Sequence, residues 1–406
     1  MTSPAKPSPI AAFQVVSFRF QWPSDLLTSW AFEMEVLILG WYVLVETGSL
    51  LWLTIFASLQ FLGTLLAPIS GVVADRIGRR AMLCVMRALY TLLAASVAAM
   101  ALTDSLTPYY VFGVAFVAGL IKPSDLVMRN ALVGDTMPTA LLMNAMGIAR
   151  TTMDSARIAG ALIGAGLFST LGIGVAYVVV AAFYLASFAL TFGVSRVRPG
   201  ARPPNEAGPS PWHELKDGLA YVFATPTVLA VMSLAFLVNV TAYPLSHALL
   251  PYVAKEIYAV DENGLSHLVA AFAAGALIGS IAMATFGSRR PARVMVVNLL
   301  LWFGFLAVFG QMQNKLPGVA LLFVCGFFQS MAMVSMSVTL LHATAAAYRG
   351  RIMGVRMLVV YGLPLGLLAS GVFIEWIGFS AMTAVYCGVG MLACLGVAAT
   401  WRRALF

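Results

Sequence analysis

Twelve apolar runs divide this chain, each long enough to cross the roughly 30 Å hydrocarbon core of a bilayer as an α-helix. They occupy residues 26–45, 50–70, 82–102, 109–132, 141–167 and 174–194, then 228–253, 265–286, 294–309, 316–341, 352–373 and 380–400. Lipid offers a backbone no hydrogen-bond partner, so runs of this kind close their bonds internally, as helices. The composition leaves them no other solvent. Of 406 residues, 61% are hydrophobic and only 10% are charged, against about 25% charged in an ordinary soluble domain. That excludes a soluble enzyme, a disordered chain and a nucleic-acid-binding domain. The expected fold class is an all-α polytopic membrane protein with twelve transmembrane helices.

Between the sixth and seventh runs lies the one long polar stretch, 195–217. Its prolines, Pro199, Pro203, Pro204, Pro209 and Pro211, suit a linker, and 212–217 reads as a short amphipathic helix on the membrane surface. The organisation is thus 1–194, a short cytoplasmic tail and six spans; 195–217, a cytoplasmic linker; and 218–406, six more spans. With the N-terminus placed in the cytoplasm, seventeen basic residues fall on that side, and only Lys255 and Lys315 on the other. This asymmetry predicts that both termini are cytoplasmic, in a cell membrane, with the bacterial inner membrane as the expected setting. It also accounts for the net charge of +8 without nucleic acid. Cys84, Cys325, Cys387 and Cys394 lie in apolar runs without a CxxC pair, and read as packing residues. The halves carry traces of a repeat. Met146-Gly147 and Met353-Gly354 open the fifth and eleventh runs, and Gly164 and Gly371 follow at the same offset of 207 (353 − 146 and 371 − 164). Two parallel six-span repeats place a substrate site between them near the bilayer midplane.

The turn between the second and third runs reads Gly71-Val72-Val73-Ala74-Asp75-Arg76-Ile77-Gly78-Arg79-Arg80. Gly71 allows close helix approach, and the Asp75 carboxylate suits the positive end of a facing helix. Arg76, Arg79 and Arg80 are expected to add bonds across the cytoplasmic seam. With Gly78, this pattern resembles the signature loop of the major facilitator superfamily. The equivalent loop of the second half, 286–293, is degenerate, with Ser288 and Pro291 in place of the Asp and the second Gly. Further stretches resemble the enterobactin-exporter-like and macrolide-efflux-like branch: 40–44 with 47–49, Lys122-Pro123 before 129–132, Asn144-Ala145 and 349–354. The resemblance implies two pseudo-symmetric six-helix bundles, a latch from Asp75 to the eleventh span, and export.

Ionisable residues within a span are costly and mark pathways or relays. The fourth and fifth runs carry matching ladders, Lys122, Asp125, Arg129 and Arg150, Asp154, Arg157; Glu33 and Glu35 stand in the first. The four cations and four acids form a neutral set, as an intramembrane network requires. Two readings compete: a structural ion-pair net, or an acid that takes a proton and couples its entry to substrate exit. Asp125 and Asp154 have cations within one turn on their own helices and should stay ionised. Glu33 and Glu35 have none there and are the candidate proton carriers, Glu35 first because it lies deeper. Trp30, Trp41, Tyr42, Asn239, Tyr243, Gln329 and Tyr361 are candidate cavity residues, against packing roles for each. Met331, Met333 and Met336 suit varied apolar ligands. Gly362, Pro364 and Gly366 mark a candidate hinge, and Gly160, Gly164 and Gly166 a helix-packing stripe.

No HExxH, GxSxG, Walker loop or metal-ligand spacing is present in the sequence, so neither an enzyme nor a cofactor is expected. The predicted function is proton-coupled efflux of an amphipathic small molecule, a drug-like compound or a siderophore, by a monomer that alternates access. The alternatives are uptake or a lipid-like substrate on the same fold, and a membrane sensor that binds without transporting.

Overall fold

The computed structural model describes residues 11–65, 74, 77–195, 211–287, 290–345 and 348–405. Among them no strand occurs, and nine helices are long and apolar enough to cross a membrane. Two of these helices are double. Thr139–Thr191 turns at Gly172 (φ 77°, ψ 171°), and Gly362–Thr400 turns at Gly378 (φ 80°, ψ 165°). That backbone region is essentially restricted to glycine. Dividing both helices there and adding the shorter apolar helix Leu50–Thr64 gives the twelve spans of the sequence. The sequence predicts separate runs at both places, and a single glycine makes each join. The two glycines are 206 residues apart (378 − 172), one short of the repeat offset.

The helices are α1 (Val16–Thr47), α2 (Leu50–Leu59), α3 (Arg79–Leu102), α4 (Pro108–Thr136), α5 (Thr139–Thr191) and α6 (Pro211–Ala224). Then come α7 (Pro226–Thr241), α8 (Glu262–Phe286), α9 (Pro291–Phe309), α10 (Lys315–Ala343), α11 (Arg349–Val359) and α12 (Gly362–Thr400). They form two compact units, Met1–Leu39 with Leu66–Ala201 and Gly40–Leu65 with Arg202–Phe406. The continuous helix α1 passes from one to the other.

In the first unit, Thr107 caps α4 by accepting from Tyr110 N, with Pro108 at the first helical position. Both choices fit a helix start. Gly160 and Gly164 let α5 approach α1, since a Cβ at Gly160 would stand 2.7 Å from Glu33 Cβ and one at Gly164 3.1 Å from Met34. Gly166, the third member of the expected stripe, faces open space. Residues such as Leu92 (67% exposed) and Leu185 (55%) show their apolar surface outward, which only lipid can cover at this density.

In the second unit, α8 packs on α10 through Gly275, Gly279 and Gly326, whose places leave no room for a Cβ against the facing backbones. Asp261 caps α8, accepting from Gly264 N at 2.8 Å. That bond holds its carboxyl below the usual carboxylate range. After α7 come two π-helical segments, Pro244–Ala248 and Val253–Ile257, closed by bonds from Leu249 N to Pro244 O (3.0 Å) and from Tyr258 N to Val253 O (2.9 Å). Pro244 and Pro251 lack the N–H of a regular ladder, and wider turns re-form it. The helix is interrupted at Val360 and Tyr361, between α11 and α12, a few residues before Pro364. A proline ring presses on the carbonyl four residues earlier, which here is Val360. Gly362 and Gly366 instead let α12 close on α7, near Phe236 and Val240. The linker helix is longer than 212–217. It docks on α11 through Asp217 and Arg351 (3.5 Å), with Tyr221 stacked on Tyr348 at 4.4 Å. In the same unit, Thr54 of α2 faces Gly371, and Lys255 Nζ donates to Leu44 O at 3.3 Å.

The glycine joins can be tested against a neutral site. Gly172 and Gly166 both face open space, and only Gly172 has positive φ. We expect Gly172→Ala to cost about 1–3 kcal/mol and Gly166→Ala to stabilise by up to about 1 kcal/mol, read as opposite shifts in unfolding in detergent.

Candidate functional site

The first unit holds a polar seam in its interior. On α1, Gln21, Ser24, Thr28 and Glu35 recur at steps of three, four and seven, which stacks them on one helix face. The half of α5 after Gly172 carries Tyr177, Tyr184, Ser187 and Thr191 at similar steps. α3 adds Arg87 and Tyr90, and α4 adds Lys122, Asp125 and Arg129. Ser24, Thr28, Arg87, Asp125, Tyr177, Tyr184, Ser187 and Thr191 are all fully buried.

At one end of the seam, Arg87 pairs with Asp25 and donates to Ser24 Oγ at 2.5 Å and to Thr191 Oγ1. Ser187 Oγ lies 2.5 Å from Thr28 Oγ1 and 3.0 Å from Ser24 Oγ. Arg129 joins the cluster from α4. Its Nε stands 2.5 Å from Asp125 Oδ2 and 3.7 Å from Asp25 Oδ1, and its NH1 donates to Ser29 Oγ at 3.0 Å. The contact with Asp125 is a close ion pair through Oδ2, and Asp125 Oδ1 has no hydrogen-bond partner among the described residues. Gln21 Nε2 donates to Arg129 O at 3.0 Å. Two cations and two acids thus balance in the interior, an arrangement in which such burial is tolerable.

Glu35 is the second centre. Its Oε1 accepts from Lys122 Nζ at 3.1 Å, and its Oε2 from Tyr184 OH at 3.2 Å. Phe32 stands between the two centres, with Lys122 Nζ 4.9 Å and Arg129 Cζ 5.4 Å from its ring, a favourable cation–π placement. Glu33 leaves α1 in another direction and meets Arg157 at 3.7 Å in a half-exposed pair.

One expectation from the sequence is changed. Glu35 does have a cation beside it, because Lys122 reaches over from α4. Asp125 consequently keeps Arg129 alone of its two expected partners. Arg79 and Arg80 bond within the first unit: Arg79 to Asp135, and Arg80 to the carbonyls of Thr191 and Phe192. Gly78 caps α3 with φ 91°. Gly71, Asp75 and Arg76 lie outside the described residues, as do the side chains of Arg150, Asp154, Met353 and Gly354. In the second unit, Tyr243 OH accepts from Gln329 Nε2 at 2.9 Å, and the Tyr243 ring lies 5.0 Å from His247 and 5.4 Å from Trp302. Asn239 bonds back to its own helix at Ala235 O, and Tyr361 OH donates to Leu62 O. Trp41 is buried, Tyr42 half-buried, and Trp30 lies 6.1 Å from Phe183. Met336 is buried, and Met331 and Met333 are half-buried.

Asp25, Arg87 and the three tyrosines are absent from the sequence-predicted set. Arg87 lies inside the third apolar run, so the rule that found Arg129 applies to it equally. Asp25 stands one residue before the first run as drawn. A groove of about 620 Å3 beside the seam is lined by Trp22, Leu26, Asn144, Gly147, Thr151, Thr152 and Ser155. Among the described residues, no three His, Cys, Asp or Glu side chains gather as metal ligands.

Paired helices of this length, buried charges matched inside the bundle and an outward apolar surface define a polytopic membrane protein. The sequence matches the Major Facilitator Superfamily over residues 24–363 and 232–404, and the chain belongs to that family. It is a transporter rather than an enzyme. No individually curated protein matches it significantly. Among solved structures, it is similar to the nucleoside transporter NupG (TM-score 0.74, 15% identity, 95% of this chain and 99% of that one). It is also similar to the POT family transporter PepTSo (0.73, 13%, 96% and 98%). A third is a bacterial homolog of the human lysosomal transporter Spinster (0.67, 14%, 100% and 96%). At these identities the likeness is one of fold.

The seam generates a stability contrast. Arg87→Leu strands Asp25 in the interior and should cost about 3–5 kcal/mol. Arg157→Gln opens a half-exposed pair and should cost under about 1 kcal/mol. Chemical unfolding of the purified variants reads both.

Proposed function

We propose that this transporter couples proton movement to export of an amphipathic small molecule, with Glu35 as the proton acceptor and Glu33 in a lesser role. The observation that carries the proposal is a buried carboxylate at mid-span held by one ammonium and one phenol. Protonation of Glu35 releases Lys122 from its ion pair, and deprotonation restores it. The free energy of that exchange depends on proton concentration and on the local charge, so it can bias one arrangement of the bundle over another. Glu33 and Arg157, loosely paired and half-exposed, suit contact with a polar group of the substrate. Tyr243 and Gln329 offer a phenol and an amide from the second unit, and the methionines of α10 an adaptable apolar wall.

Export, rather than uptake, is supported by the resemblance of 40–44 with 47–49, Lys122-Pro123 before 129–132, Asn144-Ala145 and 349–354 to the enterobactin-exporter-like and macrolide-efflux-like branch. A drug-like compound or a siderophore fits that branch. The alternating rock of two six-span repeats supplies the transport cycle, and the charge asymmetry supports cytoplasmic termini. The latch role of Asp75 toward the start of α11 belongs to the same proposal.

The test is transport in proteoliposomes under a pH gradient of either sign, with a panel of lipophilic cations, macrolides, siderophores, nucleosides and dipeptides. Proton-coupled export predicts acceleration of at least one compound by one gradient sign only, accompanied by proton flux. Glu35→Gln should abolish the acceleration and leave substrate exchange intact. Acceleration by the opposite sign would mean uptake. Gradient-driven transport surviving in both Glu35→Gln and Glu33→Gln would place the coupling acid elsewhere, and a blank panel would favour the sensor.

A further inference from the structure

Two buried hydroxyls of the seam stand without a protein partner among the described residues. Tyr90 OH and Tyr177 OH are each sealed from solvent and bonded to nothing among the described residues. Tyr177 and Tyr90 are 0% and 2% exposed. Such groups are rare, because an unsatisfied buried hydroxyl costs the full desolvation penalty, and their usual partner is an internal water. Their positions are not random. Tyr177 sits two turns from Tyr184 on the same face of α5, in electrostatic reach of Glu35. Tyr90, whose ring lies 5.3 Å from that of Tyr184, is in reach of both Glu35 and Asp125. It stands between the two acidic centres, beside Phe32 at 5.0 Å. Asp125 Oδ1, in turn, is sealed from solvent and without a hydrogen-bond partner among the described residues.

We propose that the coupling proton travels through the interior of the first unit, along a hydrated relay from Tyr177 past Glu35 and Tyr90 to Asp125 and the Asp25–Arg87 cluster. The proposal rests on Glu35 as the proton acceptor and adds the path. From Thr191 to Tyr177 the seam covers fourteen residues of helix, about 21 Å at 1.5 Å per residue, which is most of the hydrocarbon thickness. Water molecules bridge the unpartnered hydroxyls to the acids. Each tyrosine takes a proton on its oxygen from one side and gives its own to the other, so no tyrosinate forms. The net change is Glu35 carboxylate plus one proton to Glu35 carboxylic acid. Every charged group along the path comes from a packed helix of the unit. Glu35 faces Lys122 of α4 and the phenols of α3 and α5; Asp125 faces Arg129, Asp25 and Tyr90; Asp25 faces Arg87 and Arg129. The proton thus has a route of its own and need not share one with the substrate. Tyr90 and Tyr177 are relay residues.

The experiment needs no known substrate. The purified full-length protein is given a rapid acid jump in the presence of a pH-indicating dye, and proton uptake is followed in wild type and in Glu35→Gln, Tyr90→Phe and Tyr177→Phe. Glu35→Gln should remove a component of the uptake. Tyr90→Phe and Tyr177→Phe should leave its amplitude and slow it by about tenfold or more, as expected when a positioned proton carrier is lost. The wild-type component should also slow in heavy water, a measurement that requires no variant to fold. Full amplitude at the wild-type rate in both Tyr variants overturns the relay and leaves Glu35 as the acceptor. Absence of any Glu35-dependent uptake in the wild type overturns the acceptor, and the relay with it. Melting adds a separate check. Removing a dry, unpartnered hydroxyl raises stability, whereas removing one bonded to internal water lowers it, so a raised melting temperature in both Phe variants also overturns the relay.

Discussion

A guanidinium sealed inside a helical bundle holds the first unit to one arrangement. Arg87 has no exposed surface, and its charge is tolerable only with Asp25 on one terminal nitrogen and the hydroxyls of Ser24 and Thr191 on the other. That requirement couples helices distant in sequence. Asp25 comes from α1, Thr191 from the far end of α5, and Arg129 from α4 completes the balance. Leucine-lined helices could slide or rotate past each other in lipid at small cost, since lipid tails are as apolar as the side chains. Matched charges and a hydroxyl ladder allow one register.

The same constraint explains the division of labour among the acids. Asp25 is tied to two cations and a glutamine. Asp125 has one cation, shared. Glu35 has an ammonium and a phenol, and Glu33 has a loose partner near the surface. Tightness falls from the Arg87 end of the seam toward Glu35. A tightly paired anchor thus stands next to a more loosely held acid in the same unit.

The number of spans and the class of protein were legible because they follow from apolar length and composition, properties that survive without contacts. The kinked joins were only half legible. Gly172 and Gly378 stand in the sequence, but nothing local says that one glycine suffices where a polar turn would do. The π-helical segments trace to Pro244 and Pro251, which mark disruption without specifying how the ladder recovers. The site failed where distances between helices decide. Lys122 and Asp125 look like partners one turn apart, yet Lys122 turns to Glu35 on another helix. Arg87 was within reach of the rule for intramembrane charges. The tyrosines were not, because a phenol in an apolar run is ordinary until its neighbours are known.

The glycine joins have a practical side. At Gly172 and Gly378, one chain segment turns into the next with a single non-helical residue, so there is almost no ribbon of backbone to grip. Insertions and nicking concentrate at exposed loop tips, and these two corners offer none. An epitope tag, a protease site or a fluorophore intended for that end of the first unit belongs instead in the open stretch around Thr103 to Leu106, where the chain is irregular and exposed.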